Sequence, residues 1–70
     1  MGKYLVSVKV NGQWRDHTHP AFPIRAASKK NAIDEAGVNG YLKKESKTEG
    51  YEAWKIQVYN TGKVVAEGQF

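Results

Sequence analysis

The stretch FPIRAASKKNAIDEA, residues 22–36, limits what this chain can fold into more than any other part of it. Phe22, Ile24 and Ala26 alternate toward an interior while Arg25 points out, which is the period of a half-buried strand. At Ser28 the period changes. A serine there is placed to accept a hydrogen bond from a free amide of a first helical turn. Ala32, Ile33, Ala36, Gly37 and Gly40 then recur at helical spacing on one face, and their small size predicts a helix lying close on a sheet. Gly37 is a candidate left-handed cap, but stopping the helix there leaves a bare connection to Gly50 at the limit of about 12–15 residues that compact domains use. The helix is therefore expected to continue, with a kink, through Tyr41 and Leu42 to near Lys44, followed by a polar, mobile segment from Glu45 to Gly50. Lys43 and Lys44 would suit the negative end of its dipole.

Upstream, Tyr4, Val6, Val8 and Val10 share one face of a strand that ends in Asn11-Gly12, a strong hairpin signal. Register matters, because a slip of one residue turns every side chain over. A two-residue loop sets Arg15 opposite Val8 and His17 opposite Val6, putting charge toward the core. A three-residue loop with a bulge at Gly12 pairs Val8 with Trp14 and Ser7 with Arg15, and the hydrophobic pattern favours it. Pro20 and Pro23 each remove a ladder donor, so the second strand is expected at a sheet edge or bent there.

Downstream, Trp54, Ile56 and Val58 alternate with Lys55, Gln57 and Tyr59, Asn60-Thr61-Gly62 reads as a second turn, and Lys63 to Phe70 is a weaker strand interrupted by Gly68. The predicted architecture is α+β: a mainly antiparallel four-stranded sheet in the order ββαββ, with one helix packed on one face. The alternative is a β-grasp with the first and last strands paired in parallel, and the weak last strand argues against giving it that central place.

Seventy residues are expected to form a single domain, 1–70, with a core too small to supply more than about 3–5 kcal/mol. The chain contains no cysteine, which excludes disulfides, thiolate zinc sites and thiol catalysis and fits a reducing cytoplasm. No apolar run reaches the ~20 residues of a membrane span. Met1-Gly2-Lys3 does not open a signal peptide, and Val6 stands where myristoylation requires Ser or Thr. The net charge of +4 attracts nucleic acid, acidic protein surfaces or anionic lipid, and equally keeps a small protein soluble.

No residue pattern carries catalysis: paired carboxylates, a nucleophile elbow and a phosphate loop are all missing, and Asp34 and Glu35 point in different directions on the helix. An enzyme is not expected, nor a cofactor. His17 and His19 fall on the same side of a strand, a spacing used by metal sites, but no third ligand is signalled and the pair reads as exposed. Lys29 and Lys30 at the helix start, and Lys43, Lys44 and Lys47 near its end, read as solvated charge. Binding through an exposed surface remains. The outward sheet face is expected to carry Lys9, Arg15, His17, Lys55, Gln57 and Tyr59, with Lys55, Arg15 and Tyr59 as the foremost contacts and Lys9 and Gln57 beside them. Basic groups next to an aromatic ring also suit single-stranded nucleic acid, and an exposed edge strand suits a homodimer.

At residues 22–36 the chain resembles small bacteriophage proteins in which a strand ending in Pro-Ile-x-Ala meets a capped Ala-Ile-x-x-Ala helix. In particular it is similar to the family of small phage inhibitors of host RNA polymerase, whose third strand follows a Gly-aromatic-Glu entry, here Gly50-Tyr51-Glu52. The resemblance covers roughly residues 4–58. It implies a phage-type protein in the host cytoplasm that binds a host protein, RNA polymerase in that family. Of the family's two contact arginines on the third strand, Lys55 matches the first in charge and Gln57 replaces the second.

Overall fold

The computed structural model describes residues 2–70. Its order is β1 (Gly2–Val10), β2 (Gln13–Asp16), β3 (Ile24–Ala26), α1 (Lys29–Ala36), α2 (Tyr41–Glu49), β4 (Ala53–Val58) and β5 (Val64–Gln69). Every strand pairing is antiparallel, in the order β2-β1-β4-β5, with β3 also on β1. The fold is therefore α+β with an antiparallel sheet, but with five strands and two helices in place of four and one. The parallel pairing of a β-grasp does not occur: β1 lies beside β4.

β1 organises the sheet. Its C-terminal half pairs with β2 and its N-terminal half with β3, so these two short strands are halves of one edge, parted by the excursion from His17 to Pro23. The amides of His17 and Thr18 both donate to the Val6 carbonyl, and there the chain leaves the sheet. The two prolines carry it until Ile24 rejoins β1 opposite Tyr4. Phe22 consequently lies outside the strand and is 77% exposed, not inward. Alternation resumes only with Ile24 and the buried Ala26.

The first hairpin closes on two residues, not three. Asn11 and Gly12 both have positive φ, at 52° and 76°, as a type I′ turn requires, and Val8 pairs with Arg15 and Lys9 with Trp14. Turn geometry outweighs the hydrophobic pattern because β2 is an edge strand: Arg15 opposite Val8 still reaches water, and Trp14 moves to the other face.

Both helices cover the face of Val6, Val8 and Ile56. Ala26, Ala32, Ala36, Val38 and Leu42 complete that core. Ser28 caps α1 as expected, its Oγ accepting from the Asn31 amide at 3.2 Å. α1 ends at Ala36, where Gly37 takes the left-handed conformation with φ of 73°. The expected continuous helix is thus two helices. α2 starts at Tyr41 and holds the segment from Glu45 that the sequence pattern leaves as mobile. A single fully buried side chain, Leu42, anchors it, and Ser46 is buried with its hydroxyl donating to the Lys43 carbonyl.

The last hairpin turns through Tyr59–Gly62, with the Val58 amide donating to Lys63 and the Gly62 amide to Val58. Gly68 is required inside β5 because a Cβ there would lie 2.9 Å from Cζ2 of Trp54, which covers it from β4.

Leu42→Ala is expected to lower stability by about 2–5 kcal/mol, and the adjacent Lys43→Ala by less than about 0.5 kcal/mol. Urea unfolding followed by circular dichroism distinguishes the two, and equal effects would contradict an α2 anchored through Leu42.

Candidate functional site

Among the described residues, no element covers the face of the sheet opposite the helices. Its side chains can be laid out from the register. One row runs Trp14, Lys9, Ala53, Gln69, and the next runs Asp16, Ser7, Lys55, Glu67. A third holds Leu5, Gln57 and Val64, and a fourth sets Arg25 directly opposite Lys3. Tyr59 extends that last row, its amide donating to the Lys3 carbonyl at 2.9 Å.

Of the residues expected here, Lys9, Lys55 and Gln57 lie on this face and Tyr59 sits at its corner, 40% exposed. Gln57 is partly engaged, since its Nε2 donates to the Gly62 carbonyl at 2.9 Å and braces the last turn. Arg15 and His17 are not part of the face. The two-residue loop puts both on the helix side, where His17 Nε2 lies 3.2 Å from Glu45 Oε1. Nor do His17 and His19 point together: β2 ends at Asp16, and His19 Nδ1 accepts from the Ala21 amide within the excursion.

The residue that pattern reasoning missed is Trp14. Its ring, 42% exposed, lies beneath the Lys55 ammonium, with Nζ 4.4 Å from the ring centroid. Lys55 starts on β4 and Trp14 on β2, so the lysine stem crosses β1. Ser7 lies under that crossing, which accounts for a serine only 4% exposed on the uncovered side of the sheet. Beside this bridge, Lys9, Trp14, Ala53, Glu67 and Gln69 line a groove of about 310 Å³. The one sequence signal for Trp14 was Asn11-Gly12 itself, read as a two-residue turn.

Among the described residues the only ion pair is His17–Glu45, so Lys3, Lys9, Arg25 and Lys55 have no carboxylate within 4.0 Å. Lys3 opposite Arg25 is a like-charge cross-strand pair, an arrangement that costs stability. These cations therefore lack an ion-pair partner among the described residues, and Lys55 rests on the Trp14 ring.

The ionisable cluster of the helix side is structural. Tyr51 donates to Glu45 Oε1 at 2.6 Å, and the Tyr51 ring meets His17 edge-on at 6.1 Å. These contacts tie α2 to the edge where the chain leaves β2. The Glu45 carboxylate is held below the ordinary range, first by the Tyr51 hydroxyl and then by His17. Tyr51 is pushed up to about 12 by the same hydrogen bond, with burial adding to it.

Comparison with protein-family models, with curated proteins and with solved structures finds no match for this chain.

Two outcomes follow from these contacts. A double-mutant cycle between Trp14→Ala and Lys55→Ala should give a coupling of about 0.5–1 kcal/mol, the range for an exposed cation–π pair. Tyr51 binds its proton more tightly folded than unfolded, so its contribution to stability is complete below pH 10.0 and is lost as pH rises toward about 12. Absorbance titration of tyrosinate should show one late-titrating phenol that Glu45→Gln moves back toward the ordinary value. For Glu45 the sign is opposite: its contribution is present above 4.5 and is lost as pH falls through its lowered folded value.

Proposed function

We propose that this chain is a small non-enzymatic binding module, phage-like in kind, that occupies an acidic site on a host protein through the open face of its sheet. The observation that carries the reading is Trp14 held beneath Lys55 among cations that have no carboxylate partner. Tryptophan is enriched among residues that dominate protein–protein contacts, because a large flat ring excludes water over much area. Here the ring is already oriented, so little freedom is lost on docking. Lys9 and Lys55 flank it, and Lys3, Arg25 and Tyr59 form a second group toward the other end of β1. Host RNA polymerase is one candidate of this kind, on the resemblance at residues 22–36.

Trp14 also favours a second reading, single-stranded nucleic acid stacked on the indole with phosphates on the lysines. The middle of the face weighs against it. Asp16 and Glu67 occupy the two ends of the row that contains Lys55, so a continuous phosphate chain would cross two carboxylates. A protein with discrete acidic groups meets no such conflict.

The test compares two variants with the same change of charge. Capture of the partner from bacterial lysate by Lys9→Glu/Lys55→Glu should fall at least about tenfold, equivalent to 1.4 kcal/mol. Arg15→Glu/Lys29→Glu, altered away from the face, should capture as the wild type does. Equal loss in both would reduce the face to bulk electrostatics. Steeply salt-dependent quenching of Trp14 by oligothymidine would replace the protein partner with nucleic acid.

A further inference from the structure

The sheet ends in two edges that differ in kind. On one side lie β2, of four residues, and β3, of three, separated by an excursion containing Pro20 and Pro23. Short strands, prolines and a break are the means by which proteins keep an edge from recruiting another strand. On the other side lies β5, Val64–Gln69, six residues with no proline and Glu67 as its one charge. A bulge interrupts it only at its start, opposite Ile56 and Gln57. Among the described residues, no element lies beyond it.

The hydrogen-bonding parity of β5 follows from its last contact. The Phe70 amide donates to the Glu52 carbonyl at 3.2 Å, so Phe70, Gly68 and Ala66 turn their backbone groups toward β4. Glu67 and Gln69 between them aim N–H and C=O away from the sheet. These are the groups a further strand would take up.

We propose that β5 is an assembly edge and that its occupant is β5 of a second copy of this chain, paired antiparallel to extend the sheet across a two-fold axis. The difference between the edges selects this occupant. Head-to-tail growth would need β5 to pair with the broken β2/β3 edge, so the only like-for-like contact is β5 with β5, which closes at two copies. Charge sets the register. Centred on Ala66, the pairing keeps the two Glu67 carboxylates apart, one on either side of the axis. The neighbouring register that keeps the helices on one side, centred on Glu67, would set the two carboxylates face to face. This contact is independent of what docks on the open face, and it places the two open faces side by side.

Sedimentation velocity of the full chain from about 10 µM to about 1 mM covers the range in which single-strand contacts dissociate. The wild type is expected to shift from monomer to dimer across it. Glu67→Pro removes an outward amide and no bond to β4, so it should stay monomeric with an unchanged near-ultraviolet spectrum. Should that variant unfold, hydrogen exchange of the wild type decides: the Glu67 amide, which points away from β4, gains protection as the concentration rises to about 1 mM, while the Gly68 amide, bonded to β4, does not change. A wild type monomeric at 1 mM, or a folded Glu67→Pro that dimerises equally, overturns the proposal. So does a Glu67 amide that gains no protection over that range.

Discussion

The turn at Asn11-Gly12 decides which residues of this protein face water. Two consecutive positive φ values close the hairpin on two residues, and that count fixes β2 against β1 for its whole length. One more residue in the loop would send Trp14 toward the helices and Arg15 to the open side. The indole beneath Lys55, the shielded Ser7 and the groove beside them all derive from this local backbone choice. A few degrees of freedom in a turn thus determine the chemistry of a surface several strands wide.

A second constraint is economy in the core. Ala32, Ala36 and Gly37 bring α1 close enough that Val6, Val8 and Ile56 are covered without large side chains from that helix. α2 contributes one complete side chain, Leu42, and otherwise attaches through Glu45, which accepts from Tyr51 and pairs with His17, while the buried Ser46 hydroxyl bonds within its own helix. The cluster of Glu45, Tyr51 and His17 therefore serves in place of apolar area that a domain of this size does not have.

Much of the architecture was legible because local and global preferences agree there. Ser28 caps α1, β4 alternates, and Tyr59–Gly62 turns the last hairpin, each as its residue types dictate. The misreadings share a cause. Trp14 and Phe22 are large and apolar, and pattern reasoning sends such residues inward, yet an edge strand exposes the first and the excursion out of the sheet exposes the second. α2 was hidden for the opposite reason: Tyr41–Glu49 has too few apolar residues to show a periodic face, and the break at Gly37 was masked by the need to fill a long connection. For the candidate site, Lys9, Lys55 and Gln57 followed from alternation alone, whereas Trp14 required the register, which composition does not contain.

The excursion from His17 to Pro23 leaves β1 at Val6 and returns to it at Tyr4, so its two ends are fixed at neighbouring points of a single strand. Residues added between those points would lengthen a lobe without displacing β2 or β3 by a single step. Drift in length is thereby tolerated at this seam, and a tag, a fluorophore or a grafted peptide inserted there would ride on the domain without disturbing either side of its sheet.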